Sequence, residues 1–523
     1  MTPSHPDGGQ VAASTEGATP RVLVILGHPR VDSFCGALAG AYEAGARSAG
    51  FEVERLDLAN LAFDPHVWLP SPRDQALEPD LARAQALIRW ADHLVFVYPA
   101  WWGTLPALLK GFLDRVLTPG FAFATDEEDP ATWTKLLKGR SAHLLVTMDT
   151  PSWVYRLIYR QPGHQAMRRA TLGFCGVAPT FISTFAPVKP ATAEARTRWL
   201  EQVRLEATRL PGRLRRHRLR ARAGAWLRLL RLQFYPMAWV AYTIGALAGS
   251  RHGGAFSTRT YWLGYLCLFL MEALTVVSNE WFDQGTDRLN RHAGPFNGGS
   301  RVLADGELGP SSVRRAMAGL ALALGTGLAA LGAALAPAGR PGLAAMIALA
   351  VLAVGYTVPP LRLVYRGLGE LDVGLTHSFA AIFVGGLLQS GLWRDPFPWL
   401  VGLPLFLATL SAITLSALPD HEADGAVAKR TLAVLLGRRG AAWAALGFAV
   451  AAAACGVLWQ QWGLFGGASG VAIFLAVPHA LLLVRAILRY LRRGAPCERI
   501  DGIMALALTY LLWFGIIPLA HLS

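Results

Sequence analysis

The sequence predicts two domains of different classes: an α/β domain with a doubly wound parallel sheet, then an all-α polytopic membrane domain of nine transmembrane helices. Over roughly the first two hundred residues, β-rich runs alternate with helical segments, as in an open parallel sheet. The rest of the chain holds nine apolar runs, each near the roughly twenty residues needed to cross a bilayer. A composition of 53% hydrophobic and 16% charged residues also suits a membrane protein.

The charge balance favours a lipid bilayer as partner and argues against a nucleic acid. The formal net charge is +14, and nearly all Lys and Arg clusters lie beside apolar runs, as in anchors that face anionic lipid. The five cysteines are scattered without a CxxC pair, so we expect reduced side chains that fill apolar space. Residues 1–20 predict a disordered tail and no signal peptide, which leaves the first domain in the cytosol.

The first domain is predicted over residues 21–210 and contains five candidate strands. These runs of β-branched and aromatic residues cover residues 22–26, 52–58, 93–98, 144–148 and 178–185. In such a sheet, ligands bind beyond the carboxyl ends of the strands.

Two loops at strand ends carry candidate ligand-binding groups. The first loop can offer backbone N–H groups, His28 and Ser33 to a phosphate at a helix N-terminus. The loop after the third strand contains Trp101 and Trp102, whose flat rings can form the wall of a site for a flat heterocycle. Ordinary loop packing of these two rings is the alternative.

Six segments of this domain resemble the flavodoxin-like NAD(P)H:quinone oxidoreductase family, over residues 21–205. The matching segments are Gly27-His28-Pro29, Ser33-Phe34, Phe63-Asp64-Pro65, Tyr98–Pro106, Leu109–Val116 and Gly173–Gly176. The resemblance implies FMN or FAD as cofactor, NAD(P)H as hydride donor, a quinone as acceptor, and a domain able to form a homodimer. By that resemblance the flavin is held by His28, Ser33, Phe34, Tyr98, Pro99, Ala100, Trp101, Trp102, Gly103 and Thr147.

Two further features follow from the same resemblance. Met148-Asp149-Thr150-Pro151 replaces a Thr-Gly-Gly turn of many members, so Asp149 either repels an anionic reduced flavin or points to solvent. Tyr155 and His164 occupy the region of a Tyr/His pair near the substrate. Histidine is a natural proton donor to a quinol oxygen, and a loop histidine without a role is the alternative.

A basic segment joins the two domains. The closing helix of the first domain is predicted at Thr192–Leu210, and Pro211-Gly212 is expected to end it. Six arginines between positions 213 and 222 then lead to Trp226. Residues 211–231 are therefore interpreted as a linker that lies on the cytoplasmic leaflet.

The membrane domain is predicted over residues 232–523. Its nine apolar spans cover residues 233–249, 260–278, 313–336, 341–358, 372–392, 397–418, 440–459, 466–488 and 501–521. The Ala/Gly-rich stretch Gly319–Ala334 predicts close helix packing. Basic residues concentrate after the even-numbered spans, which puts the N-terminal domain in the cytoplasm and the C-terminus outside the cell (inner) membrane.

Two acidic motifs follow the second and sixth spans. Asn279, Asp283 and Asp287 recur at steps of four, which stacks them on one face of a helix. Oxygen ligands of this kind suit Mg²⁺, typically shared with a substrate diphosphate. Asp420 and Asp424 repeat the spacing on the same predicted side of the membrane. We expect the two motifs to face each other across two Mg²⁺ ions and a diphosphate; solvated loop acids are the alternative.

Cations follow the second motif. Lys429 and Arg430 come directly behind it and can neutralise the charge of a diphosphate.

Residues 230–523 resemble the UbiA-type intramembrane prenyltransferase superfamily. The matching features are both acidic motifs and Tyr356-Thr357-Val358-Pro359-Pro360-Leu361-Arg362, and the segment Tyr365–Glu370 is similar to members that prenylate dihydroxynaphthoate. Glu280 and Ala428 depart from the usual Asp and Gly.

The resemblance implies that Mg²⁺, held by the motif residues, assists departure of the diphosphate from an allylic polyprenyl diphosphate. Lys429, Arg430, Arg301 and Arg362 are then candidates to stabilise the leaving group. Tyr356 or an aspartate would assist proton loss or shield the cation.

Together the two resemblances predict reduction of a quinone followed by prenylation of the resulting electron-rich hydroquinone. The reverse order is a variant. Two alternatives keep the prenyltransferase: the first domain is a non-catalytic flavin-binding sensor or scaffold, or the acceptor is a non-aromatic lipid.

Overall fold

The computed structural model describes residues 19–125, 133–253, 255–290, 294, 296, 298–335, 337–391, 394–465, 467–493 and 500–523. The chain divides into two compact units, Met1–Arg220 and Ala221–Ser523. The predicted tail lies almost wholly outside the described residues. Cys497 also lies outside them, as do Arg291 and Arg499, two of the basic residues that follow even-numbered predicted spans. The other four cysteines are free, as expected.

The first unit is built on a five-stranded parallel sheet with the strand order β2-β1-β3-β6-β7. Its strands are β1 Arg21–Leu26, β2 Glu52–Asp57, β3 His93–Pro99, β4 Phe123–Thr125, β5 Trp133–Lys135, β6 Ser141–Thr147 and β7 Thr180–Phe185. Its helices are α1 Phe34–Ser48, α2 Pro79–Trp90, α3 Ala107–Val116, α4 Ser152–Leu157, α5 Pro162–Gln165, α6 Ala193–Thr208 and α7 Leu210–Leu230, which contains the division at Arg220. The five predicted strands are confirmed; the small antiparallel pair β4–β5 was not predicted.

Burial on both faces explains why the strands read as continuous apolar runs. In β1, Leu23 and Ile25 join the core on one face of the sheet, and Val22, Val24 and Leu26 join the core on the other. Covered parallel sheets have this pattern, because helices pack against both faces.

Two buried histidines connect the sheet to its helices. His93 lies 3.1 Å from the Tyr42 hydroxyl of α1 and 2.7 Å from that of Ser141. His143 lies 3.0 Å from the hydroxyl of Ser183 and 3.4 Å from the Glu206 carboxylate of α6. Burial lowers the pKa of His93 to about 3, with Arg213 adding to the shift, and burial lowers that of His143 well below its usual value. Both rings are therefore neutral at pH 7.

These neutral histidines predict acid lability of the first unit. Their folded-state pKa values lie below the unfolded value of 6.5, so the unfolded chain binds more protons and stability falls as the pH drops below 6.5. We expect a loss of about 1 kcal/mol per histidine per pH unit. Hydrogen exchange of β3 and β6 in the full-length protein, corrected for intrinsic rates, measures it between pH 7 and 5. A His93→Gln variant should lose part of this pH dependence; an unchanged dependence would contradict the explanation.

The second unit is helical throughout its described elements. Its helices are α8 Tyr235–Gly253, α9 Thr258–Phe282, α10 Gln284–Leu289, α11 Pro310–Ala334, α12 Arg340–Gly355, α13 Gly369–Leu375, α14 Ala381–Ser390, α15 Phe397–Ser416, α16 His421–Ala426, α17 Leu432–Gln461, α18 Gly467–Ala472, α19 Ala476–Arg492 and α20 Asp501–Leu522. A π-helical turn at Thr376–Ala380 joins α13 to α14. Gly437 has non-helical angles (φ 69°, ψ 162°), so α17 is continuous only beyond it.

The predicted count of nine spans is not confirmed. Across the described residues, seven helical segments are long and apolar enough to cross a membrane: Thr258–Phe282, Pro310–Ala334, Gly369–Ser390, Phe397–Ser416, Leu432–Gln461, Gly470–Arg492 and Asp501–Leu522. The predicted spans 233–249 and 341–358 coincide with α8 and α12, which are not among them; α12 is only 16 residues long.

The predicted close packing of Gly319–Ala334 is found at two of its glycines. A Cβ on Gly327 would lie 3.2 Å from Cys267 Sγ of α9, and one on Gly332 would lie 3.0 Å from Leu343 Cδ2 of α12, whereas Gly319 and Gly325 meet no neighbour. A closer approach, which the sequence did not predict, joins α8 and α14. A Cβ on Gly245 of α8 would lie 1.7 Å from the Ile382 carbonyl oxygen, and one on Gly385 of α14 would lie 2.1 Å from that of Tyr242. Small residues therefore bring the backbones of α8 and α14 into direct contact.

The basic linker is helical, which corrects the expected break at Pro211-Gly212. The chain interrupts its helix at Arg209 instead, between α6 and α7. Pro211 lies in the first turn of α7, where the missing N–H is tolerated.

Candidate functional site

A cavity of about 340 Å³ in the second unit collects both acidic motifs. Its lining includes Asn279, Asp283, Asp287, Asp420, Asp424 and Lys429. Asp283, Asp287, Asp424 and Lys429 are all buried. Residues that follow the second and the sixth predicted spans thus share one cavity, and the burial of their side chains argues against solvated loop acids.

The first motif spans a helix end and not one continuous helix. Helix α9 ends at Phe282, Asp283 is its C-cap, and α10 begins at Gln284. Backbone hydrogen bonds still link Asp283 N to Asn279 O (2.8 Å) and Asp287 N to Asp283 O (2.9 Å). The step of four is therefore kept through the turn, and all three side chains line the cavity.

Lys429 links the two motifs electrostatically. Its Nζ lies 2.9 Å from Asp283 Oδ2 and 3.5 Å from Asp424 Oδ1. These neighbours raise the pKa of the ammonium despite its burial, so Lys429 remains charged. A buried cation between two acidic motifs is suited to bind an anion next to them.

The acidic groups carry more negative charge than Lys429 neutralises. Burial, together with the charges of Glu280 and Asp283, raises the pKa of Asp287 to about 8. Burial raises the pKa of Asp424 to about 6, against the effect of Lys429. Asn279 Oδ1 and Asp283 Oδ1 are buried without a hydrogen-bond partner in the described part of the chain. Crowded carboxylates and unpaired oxygens of this kind are relieved by a divalent cation.

Three further contacts position the motifs, and the sequence did not predict them. The Glu280 carboxylate accepts hydrogen bonds from Ser300 N and Ser300 Oγ, both 2.6 Å. Asn290 Nδ2 donates to Asp420 Oδ1 at 2.7 Å. A Cβ on Gly299, whose φ is 68°, would lie 2.3 Å from the Asp287 carboxylate. The loop at 298–300 therefore packs directly against the first motif.

The three arginines predicted to stabilise the leaving group are not among the described residues that line this cavity. Arg301 donates to the carbonyl oxygens of Asp287 (3.0 Å) and Asn290 (3.1 Å), so it supports the backbone of the first motif. Arg362 is exposed and lies over the Tyr365 ring at 3.9 Å. Arg430 is also exposed. Their predicted role with the leaving group stays a prediction, whereas Tyr356 does line the cavity.

In the first unit, the predicted flavin residues gather at the carboxyl ends of β1, β3 and β6. The strand order changes direction between β1 and β3, and ligands bind at such a switch point. The rings of His28 and Trp101 meet edge to face at 5.7 Å, and Ala100 N donates to Thr147 O at 2.7 Å. Trp102 is fully exposed.

Residues at the start of α1 have their own local roles. Ser33 is the N-cap, with Oγ accepting from Gly36 N at 3.2 Å. Phe34 packs its ring 6.0 Å from that of Trp199. Tyr98 and Pro99 are buried in β3, and Gly103 takes a left-handed conformation with φ 75°. The start of α1 offers backbone N–H groups suited to a phosphate, and the exposed rings of Trp101 and Trp102 are suited to contact a flat ring.

Tyr155 and His164 lie side by side, and the proton-donor role of His164 stays a prediction. Their rings lie 5.0 Å apart, and Tyr155 Oη donates to Gly103 O at 2.9 Å. Burial lowers the pKa of His164 to about 4, so the ring is neutral at pH 7. Asp149 is exposed and accepts from Lys189 N at 2.7 Å. The solvent-facing alternative for Asp149 is therefore supported.

Family models match both halves of the chain. The model of the UbiA prenyltransferase family matches residues 238–515, just over half of the chain. The chain belongs to the UbiA prenyltransferase family. In this UbiA-family protein, residues 20–204 also match the model of the flavodoxin-like fold, so the predicted fusion is confirmed.

Each individual relative of the UbiA-family protein matches only part of the chain. An uncharacterized NAD(P)H oxidoreductase of Haemophilus influenzae is 29% identical over 185 residues, 34% of this chain and 90% of that protein. The ribosyldihydronicotinamide dehydrogenase-like protein traD of Penicillium crustosum is 33% identical over 152 residues, 24% of this chain and 57% of its own length. A solved structure of a digeranylgeranylglyceryl phosphate synthase aligns at a TM-score of 0.41 and 17% identity, covering 58% of this chain and 98% of that one.

In the UbiA-family protein, the residues suit a divalent cation that shares its ligands with a substrate, and not one held by protein ligands alone. No group of three or more His, Cys, Asp and Glu converges on one metal position in the part of the chain that the structure describes. Mg²⁺ typically keeps waters and shares its ligands with substrate phosphates, so it does not need such a cage. The side-chain oxygens of Asn279, Asp283, Asp287, Asp420 and Asp424 line the cavity and are of the donor type that Mg²⁺ prefers.

One departure from the family pattern lies in the turn before Lys429. Ala428 stands where glycine is usual and has a φ of 60°. This left-handed conformation raises the energy of a residue with a Cβ but not that of glycine. The turn places the next residue, Lys429, between the two motifs.

Proposed function

We propose that the second unit transfers a prenyl group from an allylic polyprenyl diphosphate to an aromatic acceptor, with Mg²⁺ as cofactor. The observation that carries this proposal is the position of Lys429, buried in one cavity between Asp283 and Asp424. Carboxylates and an ammonium in this arrangement bind a metal–diphosphate complex from both sides. The rest of the lining is largely apolar, with Phe234, Met504 and Leu508 among its members, and this suits a prenyl chain.

The residues have separate roles in the proposed transfer. Bound Mg²⁺ would act as a Lewis acid that stabilises charge on the departing diphosphate. Lys429 holds the leaving group, and the Asn279 and Asp283 oxygens orient the complex, which Glu280 and Arg301 support from behind. The apolar walls keep water from the allylic carbon, so the acceptor ring is the nucleophile that reaches it.

We further propose that the first unit reduces a quinone with NAD(P)H. Bound flavin would carry the hydride, and His28, Trp101 and the start of α1 are suited to hold it. The Haemophilus relative is named an NAD(P)H oxidoreductase, which supports this assignment. Reduction has to come first, because a quinone ring is electron-poor and the hydroquinone ring is a nucleophile.

This order predicts that NAD(P)H activates a quinone acceptor. Flavin-loaded full-length protein, given Mg²⁺, a polyprenyl diphosphate and a quinone, should form at least about tenfold more prenylated product with NAD(P)H than without it. The magnitude reflects the need for a nucleophilic ring in the transition state. Chromatography and mass spectrometry measure the product.

A chemically pre-reduced acceptor is the control and should react without NAD(P)H. An Asp283→Asn variant should oxidise NAD(P)H normally and form no product, since its change lies in the second unit. If the pre-reduced acceptor reacts no faster than the quinone, the order is wrong. If NAD(P)H is not oxidised, the first unit is a flavin-binding module without turnover.

A further inference from the structure

The cavity of the second unit holds a buried carboxylate that belongs to neither acidic motif. Two buried cavity atoms outside the diphosphate site, Thr275 Oγ1 and Asp372 Oδ1, have no hydrogen-bond partner within the described residues. Asp372 is only 6% exposed. A buried carboxylate without a donor costs free energy, so we expect a ligand to supply the missing hydrogen bond.

Asp372 lies on a different element from the two motifs. It belongs to α13, and its backbone carbonyl accepts from Thr376 Oγ1 at 2.7 Å. The motif residues belong to the α9–α10 segment and to the start of α16. Asp372, Tyr356 and the motif residues nevertheless line the same cavity. A ligand in this cavity can therefore reach both Asp372 and the diphosphate site.

Three polar groups of the cavity lining already donate their hydrogens to backbone carbonyl groups. His377 Nδ1 lies 3.1 Å from Val373 O, and a carbonyl only accepts, so Nδ1 carries the hydrogen and Nε2 the lone pair. The Thr376 hydroxyl donates to the Asp372 carbonyl, and that of Thr409 to Leu405 O at 2.8 Å. A ligand with an O–H group can therefore supply the donor that Asp372 Oδ1 lacks. A hydroquinone or phenol has such a group, whereas a quinone offers only acceptors.

We propose that Asp372 binds a hydroxyl group of the aromatic acceptor and takes its proton during prenyl transfer. This rests on the proposed function and adds the acceptor class, a phenol or hydroquinone in its reduced form. The allylic C–O bond breaks and its electron pair leaves with the diphosphate. A ring carbon next to the hydroxyl carbon forms the new C–C bond while the hydroxyl proton moves to Asp372. The hydrogen on that ring carbon then returns to the oxygen, and Asp372 releases its proton to solvent.

The test is Asp372→Asn in the full-length protein, assayed with Mg²⁺, a polyprenyl diphosphate and a pre-reduced hydroquinone. Loss of a general base lowers the rate by about 100-fold or more, so kcat should fall by at least that factor. KM for the diphosphate should stay within about twofold, and the acidic limb of the kcat/KM profile for the acceptor should disappear. Asp372→Glu should recover part of the rate.

Glu370→Gln is the matched control on the same helix. The Glu370 carboxylate accepts a hydrogen bond from Leu432 N at 2.7 Å, which a glutamine oxygen can replace, so the pH profile should persist. The thermal shift produced by Mg²⁺ and diphosphate reports whether each variant is folded. If the Asp372→Asn protein turns over within about threefold of wild type, the role of Asp372 is wrong and the proposed function stands. The same conclusion follows if both variants lose activity equally and show a reduced thermal shift. A wild-type protein that prenylates no hydroquinone overturns the proposed function and this inference with it.

Discussion

Asp283→Asn should lower prenyl transfer by about a thousandfold while the protein remains folded. The change removes the charge of the buried Asp283 carboxylate. Its Oδ2 lies 2.9 Å from Lys429 Nζ, and its Oδ1 has no partner among the described residues. Loss of one such group from a preorganised electrostatic site costs 10² to 10³ in rate, and loss of a metal ligand adds to it. Folding should survive, because Lys429 keeps its contact with Asp424 at 3.5 Å. Mass spectrometry of prenylated lipids from cells that express the variant measures the loss.

Glu422→Gln is the control for this experiment. Glu422 lies in α16 two residues from both Asp420 and Asp424, but its side chain is 76% exposed and pairs with Arg438 at 3.3 Å. It should retain transfer within about twofold, since exposed ion pairs contribute little. Equal losses in Asp283→Asn and Glu422→Gln would mean that general acidity of this surface, and not the enclosed site, governs the activity.

Arg115→Met should destabilise the first unit by about 1–3 kcal/mol, because the partners of a buried charged donor lose it. The Arg115 side chain is fully buried in α3 and donates to Asp64 O at 2.7 Å, Ala76 O at 2.9 Å and Glu78 Oε2 at 2.8 Å. Without it, the two carbonyl groups lose this donor, and the Glu78 carboxylate keeps the hydrogen bond from Asp64 N at 3.1 Å. Urea-dependent protease cleavage of the full-length protein, with fragments assigned by mass spectrometry, measures the change.

Lys110→Met on the same helix is the comparison. Lys110 makes an exposed i,i+4 pair with Asp114 at 2.6 Å, so its loss should cost no more than about 0.5 kcal/mol. Similar urea midpoints for the two variants would show that the Arg115 hydrogen bonds are dispensable.

Much of the first unit followed from local patterns. Strands buried on both faces leave continuous apolar runs, and a helix preceded by Ser33 carries its own N-cap signal, so both were predicted near their observed bounds. The hairpin-like pair β4–β5 was missed because each strand has only three residues and is partly or wholly exposed. Such short strands leave no periodicity to detect.

The membrane site was predicted in its motifs but not in its supporting contacts. The spacing of Asp283 and Asp287 is visible along the chain, whereas the bond from Asn290 to Asp420 joins residues 130 positions apart. Asp372 stands alone in sequence, and only the fold shows that it shares a cavity with the motifs. Hydropathy alone also treated α8 and α12 as equivalent to the longer spans, because it does not register where helices start and end.

The contact between α8 and α14 has a consequence for how substrates enter. At Gly245 and Gly385 the two backbones touch directly, so no side chain lies between them that could change rotamer. The two helices therefore behave as one rigid wall, which can neither hinge nor part without losing the contact. Helix α11 instead meets its neighbours through side chains, such as Cys267 at Gly327 and Leu343 at Gly332. We expect a long lipid chain to enter where helices meet through side chains, which can change rotamer, and not through the glycine seam.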